Sequence, residues 1–182
     1  MRPGIPGLQI QNSSNVTATG NDLSGSGVSG GYVIYLDNVS GTLDISSNTF
    51  GGATPSNGLY MSSMSNRIVS DGSVSGTNVV IPDGSVVAQA AGYGIRVIGG
   101  SGNRVEDVDL ENTGASRAGT GIEASGSANF VATVNQIVKK TTGFVLSNDG
   151  SFTLTCNNIR NNTTGVSIGG SNAVSRLVNN NA

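Results

Sequence analysis

Histidine is absent from this sequence of 182 residues, and cysteine occurs once, at Cys156. Without histidine, the chain cannot contain a Ser-His or Cys-His nucleophile pair, or a histidine metal site. A single cysteine cannot form a disulfide within the chain, and we expect a small, buried apolar side chain at position 156.

Charged residues are also scarce, with 9 Lys and Arg against 11 Asp and Glu, for a formal net charge of −2. So little positive charge predicts that nucleic acid is not a partner. No apolar run approaches the roughly 20 residues of a membrane span, and the first residues do not resemble a signal peptide, so we expect no membrane partner. Strong helix formers are few, with 3 Glu, 2 Lys and 9 Leu against 20 Val and 12 Ile, which predicts an almost entirely β protein.

The abundant residues are 28 Gly, 25 Ser and 21 Asn, a composition that also occurs in disordered chains. A repeated phrase argues against disorder: an apolar-x-apolar pair, preceded by Gly in six of seven cases. Successive phrases are 26, 25, 36, 27, 22 and 22 residues apart, which indicates a coil of two dozen residues. The pairs are Leu8 and Ile10, Ile34 and Leu36, Leu59 and Met61, Ile95 and Val97, Ile122 and Ala124, Phe144 and Leu146, and Val166 and Ile168.

Two further apolar positions follow each phrase, which predicts three short strands per coil. The second positions are Val16, Leu43, Ile68, Val105, Phe130, Phe152 and Val174. The third positions are Leu23, Phe50, Val74, Leu110, Ile137 and Ile159. Asn precedes several third positions, at Asn21, Asn48, Asn135 and Asn157, and we expect these side chains to form a hydrogen-bonded ladder along the axis. The sequence therefore predicts an all-β, right-handed parallel β-helix, a three-faced solenoid of about seven coils that forms one domain over residues 1–182.

Length variation is confined to the stretch between a third position and the next phrase, which holds 10, 8, 20, 11, 6 and 6 residues. Insertions that leave a stack at one place predict one variable corner. The longest insertion, 75–94, is apolar on both sides of a Pro-Asp-Gly turn signal at 82–84, and we expect a loop or small hairpin on that corner.

The outward position of the first strand provides the candidate binding residues. It is occupied in order by Gln9, Tyr35, Tyr60, Arg96, Glu123, Val145 and Ser167. Tyr35, Tyr60 and Arg96 are predicted to bind substrate, because aromatic faces beside hydrogen-bonding charges suit a sugar polymer. The alternative is an ordinary solvated or trimer-facing sheet, since Tyr is common on exposed strands.

Glycoside hydrolysis would need two carboxyl groups, separated by about 5.5 Å for retention or about 6.5–9.5 Å for inversion. On the outer first-strand positions Glu123 has only Asp37 as a companion, three coils away and therefore roughly 14 Å distant. Glu111, which opens the loop into the same strand, is the better partner, so Glu123 and Glu111 are the candidate catalytic pair. The acidic run 106–111 is predicted to be largely a solvated face, and no ligand spacing argues for a metal or cofactor.

The repeats at 157–168 (NNIRNNTTGVSI) and 135–146 (NQIVKKTTGFVL) resemble the right-handed parallel β-helix of the pectate-lyase-like superfamily, which includes carbohydrate-active epimerases and bacteriophage tailspikes. The resemblance covers nearly the whole chain. Its Ser-, Gly- and Asn-rich, histidine-free composition is most similar to a tailspike or tail-fibre β-helix. That resemblance implies a homotrimer in the virion tail that binds, and often degrades, a bacterial surface polysaccharide. Neither a polygalacturonase-type Asp pair nor the calcium-binding Asp and catalytic Arg of the lyases is recognisable.

Three functions remain open at this point. The first is a tailspike segment that recognises or degrades a surface polysaccharide. The second is a secreted bacterial polysaccharide lyase, epimerase or glycosidase, and the third is a non-catalytic adhesive or structural solenoid. Because neither end carries an evident apolar cap, we expect the chain to be a fragment of a larger protein or to have ends covered by partners.

Overall fold

The computed structural model describes residues 6–26, 30–52, 54–178 and 180–181, without the side chains of 173–175, so the predicted apolar position at Val174 lies outside the described residues. The described part forms sixteen strands and no helix. The strands are β1 Leu8–Thr17, β2 Tyr32–Asp44, β3 Asn57–Ser62, β4 Ile68–Ser70, β5 Val79–Val80, β6 Tyr93–Ile98, β7 Arg104–Glu106, β8 Asp109–Glu111, β9 Thr120–Ser125, β10 Phe130–Thr133, β11 Gln136–Val138, β12 Thr142–Ser147, β13 Gly150–Thr155, β14 Asn158–Arg160, β15 Thr164–Gly169 and β16 Asn172–Val178.

The strands pair in parallel, almost all with strands of the neighbouring coils, and the pairings form three sheets. Sheet I has seven strands in the order β1-β2-β3-β6-β9-β12-β15. Sheet II has six, in the order β16-β13-β10-β7-β4-β5, and sheet III has three, in the order β14-β11-β8. The predicted all-β, parallel solenoid of about seven coils is confirmed.

The repeated phrases align as predicted in a single inward column of sheet I. The five central members are fully buried, and the two terminal ones are partly buried. Complete burial of such an apolar side chain stabilises the fold by about 1.5–3 kcal/mol. The column contains Leu8, Ile34, Leu59, Ile95, Ile122, Phe144 and Val166.

The glycine that opens most of the phrases is required by close packing. A Cβ atom on Gly121 would lie 2.6 Å from Cγ2 of Ile137 and 2.7 Å from the carbonyl oxygen of Gly143. Gly143 is in the same position, with the carbonyl oxygen of Gly165 at 2.5 Å from its missing Cβ. Where sheet III is present, it therefore packs so closely on the start of the sheet I strand that no side chain fits there.

The predicted asparagine ladder lies at the corner between sheets II and III. Asn135 Nδ2 donates to the Val105 carbonyl at 2.9 Å, and Asn135 Oδ1 accepts the Val108 amide at 3.1 Å. The backbone amide of Asn135 in turn donates to Asn157 Oδ1 at 3.0 Å. Each amide side chain thus satisfies backbone groups that the turn removes from the sheets. The same pattern includes Asn21, Asn48 and Asn180.

The second apolar position differs from the prediction in two coils. Val69, not Ile68, pairs with Val105 and is fully buried. Val105 pairs next with Ala132, two residues beyond the predicted Phe130. Phe130 and Ala132 both point inward, so alternation alone could not identify which of them continues the column.

The path of residues 71–94 also differs from the path predicted from the repeats. Val74 lies half-buried in a loop outside any strand, and the chain then returns to sheet II as β5, where Val79 pairs in parallel with Val69 and bridges Ile45. The segment predicted as a loop or hairpin thus supplies a parallel strand, and Ile81 is among its fully buried residues. The turn signal at 82–84 looks the same in a hairpin and in a solenoid corner, which explains the difference.

Cys156 is exposed, so the expectation of a buried thiol is wrong. Leu154 points inward, and continued alternation would point Cys156 inward as well. Strand β13 ends at Thr155, however, and Cys156 lies at the corner with a φ of 56°.

Asp149 occupies an interior corner position between sheets I and II. Its Oδ1 accepts the Ser127 amide at 2.9 Å, while Oδ2 is enclosed and has no hydrogen-bond partner among the described residues. One coil further on, Asn172 Oδ1 accepts the Asp149 amide and Asn172 Nδ2 donates to a backbone carbonyl. An ionised Asp149 side chain has no hydrogen to donate, unlike the side-chain amide of Asn172. Burial, with a smaller contribution from the charge of Glu123, raises the pKa of Asp149 to about 6.

Replacing Gly121 by Ala is expected to lower the free energy of unfolding by about 1–3 kcal/mol, because the new methyl group must displace Ile137 or the next coil. Gly169→Ala is the matched control, since a Cβ atom there meets nothing within 4 Å. Urea unfolding measures both variants. Equal losses of stability would contradict the close-packing explanation.

Asp149→Asn is expected to make the protein more stable above pH 7 by about 1–3 kcal/mol. The folded pKa, about 6, exceeds the unfolded value of 3.8, so wild-type stability falls as the pH rises through this interval and is then constant. Denaturant unfolding between pH 3 and 8 should show this fall in the wild type and not in the variant. The exposed Asp44→Asn variant is the control, and a wild-type-to-D149N difference that does not change with pH would contradict the assignment.

Candidate functional site

Aromatic and charged side chains cluster on the outer surface of sheet I. The predicted outward column is confirmed, because Tyr35, Tyr60, Arg96 and Glu123 pair in register on four successive coils. Two residues that the sequence analysis missed, Tyr32 and Tyr93, stand at the first positions of β2 and β6 and join the same cluster. The six residues are called the tyrosine–arginine face: Tyr32, Tyr35, Tyr60, Tyr93, Arg96 and Glu123.

The tyrosine rings are stacked along the axis. Tyr35 and Tyr60 lie 4.7 Å apart between ring centroids with an interplanar angle of 10°. Tyr32 leans over both, with its centroid 5.2 Å from that of Tyr60 and 6.2 Å from that of Tyr35. The spacing between parallel strands fixes the separation of the stacked pair. The result is an aromatic surface whose three side chains are half-buried.

Arg96 connects the tyrosines to Glu123. Its Nε lies 2.8 Å from Glu123 Oε2, and its guanidinium carbon lies 4.8 Å from the ring centroid of Tyr93. Burial alone would lower the pKa of Arg96, but the Tyr32 hydroxyl and the Glu123 charge outweigh burial and raise it. For the Tyr32 hydroxyl, burial raises the pKa and Arg96 opposes the effect. Arg96 is therefore a permanent cation held in one place by three side chains.

The two candidate catalytic carboxylates lie on different sheets. Glu111 lies in β8 of sheet III, beside Val138, and lines a small cavity of about 70 Å³ with Asp109. Glu123 lies in sheet I with its side chain 13% exposed and engaged by Arg96. The two residues are close in sequence but separated by a corner of the solenoid.

The acidic run 106–111 is less exposed than expected. Glu106 is buried and paired with Arg104, and Asp109 is half-buried with Oδ2 accepting from Gln136 at 2.8 Å. Nearby, burial raises the pKa of Asp83, and repulsion from Asp109 adds to the effect. In the described ranges, no three Cys, Asp or Glu side chains are grouped as ligands for a metal ion. The same ranges contain no helix of the length and hydropathy needed to cross a bilayer.

Lys140 is fully buried, although two adjacent lysines, Lys139 and Lys140, are more typical of a solvated corner. Its ammonium group donates to the Ala90 carbonyl at 2.8 Å, 50 positions back along the chain. Burial lowers the pKa of Lys140 to about 8. Since the amine is enclosed, a polymer cannot reach it, and its role is to tie the corner after sheet III to the segment that follows β5.

A family model described as right handed beta helix region matches residues 6–182. No curated protein sequence and no solved structure matches significantly. The match agrees with the parallel coils and indicates that they are right-handed. The tyrosine–arginine face is identified from the geometry alone.

Lys140→Met is expected to abolish a rise in stability that the wild type shows between pH 8 and 10.5. The folded pKa lies below the unfolded value, so the stabilising contribution is full above pH 10.5 and is lost as the pH falls through about 8. The rise amounts to about 2–3 kcal/mol. Urea unfolding across this range measures it, with the accessible Lys139→Met as control. Parallel curves for the wild type and K140M would show that the amine titrates normally.

Proposed function

The chain belongs to the right-handed β-helix family, and from this premise we propose that it is a glycan-recognition module that binds a bacterial surface polysaccharide on its tyrosine–arginine face. A β-helix domain fits polysaccharide-binding and polysaccharide-degrading proteins in general. The observation that supports the proposal most strongly is the gathering of all four tyrosines of the chain, with a fixed Arg–Glu pair, on one surface.

The chemistry of this face suits a sugar polymer. Tyrosine rings offer apolar surface to the C–H groups of sugar rings, while Tyr hydroxyls, Arg96 and Glu123 supply donors and acceptors for sugar hydroxyls. Residues on coils two to five line a shallow strip of about 14 Å, three strand spacings along the axis. Because the strip is built on paired strands, little conformational entropy is lost when a ligand binds.

Recognition without cleavage is the function that the geometry favours. Canonical glycoside hydrolysis needs two carboxyl groups on either side of one scissile bond. Glu111 lies on another sheet, and the carboxylate of Glu123 is engaged by Arg96. We therefore assign Glu123 to positioning Arg96 and not to acid catalysis.

The proposed setting is a phage tailspike or tail fibre at the host surface. Its support is the resemblance of the Ser-, Gly- and Asn-rich repeats to β-helices of that kind. A homotrimer would present three copies of the face to a repetitive polymer. Linked weak sites raise the overall affinity without any new contact, which suits a shallow groove.

Tyr60→Ala is expected to weaken glycan binding about tenfold, because it removes the central ring of the stack. Arg96→Gln should have a similar effect, whereas Thr153→Ala in sheet II serves as the matched control. The measurement is biolayer interferometry against capsular polysaccharides and lipopolysaccharides from a panel of bacterial strains, with an assay for new reducing ends or unsaturated products. We expect binding without product. Failure of the wild type to bind any member of the panel, or unchanged binding by Tyr60→Ala, would overturn the proposal.

A further inference from the structure

A second surface, distinct from the tyrosine–arginine face, lies at the corner between sheets III and I. A shallow, solvent-open depression of about 520 Å³ lies there across three successive coils. It shares no residue with the tyrosine–arginine face. We call this site the basic corner cavity. Its lining consists of Ala115, Ser116, Arg117, Lys139 and Asn161.

The loop that forms one wall is held in shape by a buried asparagine. Asn112 Oδ1 accepts the Gly114 amide at 3.0 Å, and Asn112 Nδ2 donates to the Ser116 carbonyl at 2.8 Å. The Ala118 amide reaches the carbonyl of Lys139 on the next coil at 3.4 Å. The loop is thus held by hydrogen bonds near both of its ends.

The cavity concentrates positive charge in a chain whose net charge is −2. Arg117 and Lys139 make no ion pair within the described residues, and the lining contains no carboxylate. Glu111, on the neighbouring strand, lines the separate small cavity. Two cations without a carboxylate partner on a sparsely charged surface create a local positive potential that attracts anions.

The four polar side chains of the lining are also free to donate. Ser116, Arg117, Lys139 and Asn161 form no side-chain hydrogen bond with other described residues. An arginine fork, an ammonium, a hydroxyl and a side-chain amide together match the acceptor oxygens of a tetrahedral oxyanion.

We infer that the basic corner cavity binds a phosphate group. Arg117 and Lys139 neutralise its charge, and Ser116 and Asn161 complete its hydrogen bonds. The group can come from free inorganic phosphate or from a phosphorylated sugar of a glycan. The inference does not rest on the proposed function, because the two surfaces use different residues.

The test is a titration of ¹⁵N-labelled protein, followed by NMR, with inorganic phosphate, with glucose 6-phosphate and with glucose. Both phosphates should produce saturable shifts at the amides of Ser116, Arg117, Lys139 and Asn161, with a dissociation constant on the order of 1 mM. Added NaCl should weaken binding, since the site is open to solvent. Tighter binding of glucose 6-phosphate would identify a glycan-borne phosphate, and equal binding would identify the free anion.

Arg117→Gln and Lys139→Gln should each weaken phosphate binding about tenfold, the loss expected for one charge-assisted hydrogen bond. Arg176→Gln is the matched control, because it removes the same charge from an exposed position in sheet II. Unchanged amide shifts elsewhere verify that each variant is folded. No saturable shift up to roughly 50 mM phosphate, or an equal loss in Arg176→Gln, would overturn the site. Either result leaves glycan binding by the tyrosine–arginine face to be judged separately.

Discussion

Parallel hydrogen bonding between coils is the constraint on which the rest of this molecule depends. It fixes neighbouring backbones about 4.8 Å apart and places equivalent residues directly above one another. The direction and surroundings of a side chain are therefore repeated along a column, so a physical demand at one position recurs in the next coil. The column that holds Gly121 and Gly143 leaves no room for side chains, the column that holds Asn135 and Asn157 satisfies turn backbones, and the outward column that holds Tyr35 and Tyr60 becomes an aromatic stack.

The sequence predicted a column wherever a specific physical demand recurs in each coil. The glycine-led phrase is such a demand, because a Cβ atom would collide with the next coil, and its alignment is confirmed throughout sheet I. Alternation of apolar residues is a weaker demand, since Val69 and Ala132 satisfy it as well as Ile68 and Phe130 do. The path of residues 71–94 could not be predicted either. Strand β5 pairs with a strand only ten positions earlier, and among the described residues this pairing occurs in no other coil of the repeat.

The candidate site shows the same division. Tyr35, Tyr60 and Arg96 could be predicted because they lie midway between two inward residues. Tyr32 and Tyr93 were missed because strict alternation fails at the start of β2, β3, β6, β9 and β12. The second and third residues of these strands are both buried, so the first turns outward again. The pairing of Glu111 with Glu123 illustrates a different limit, since proximity in sequence does not reveal that the two residues lie on different sheets.

The few charges of the chain fall into two physical classes that no composition could distinguish. Lys140 and Asp149 are enclosed at corners, where burial moves their pKa values towards neutrality and makes them contributors to pH-dependent stability. Arg96, Arg117 and Lys139 lie on the outer surface, where ligands can reach them. Because ladders and inward columns already hold the coils together, outward residues and corner loops can change without loss of the fold. Recognition in such a solenoid therefore belongs to its outer columns and corners, and an unpartnered cation there is more informative about function than a buried one.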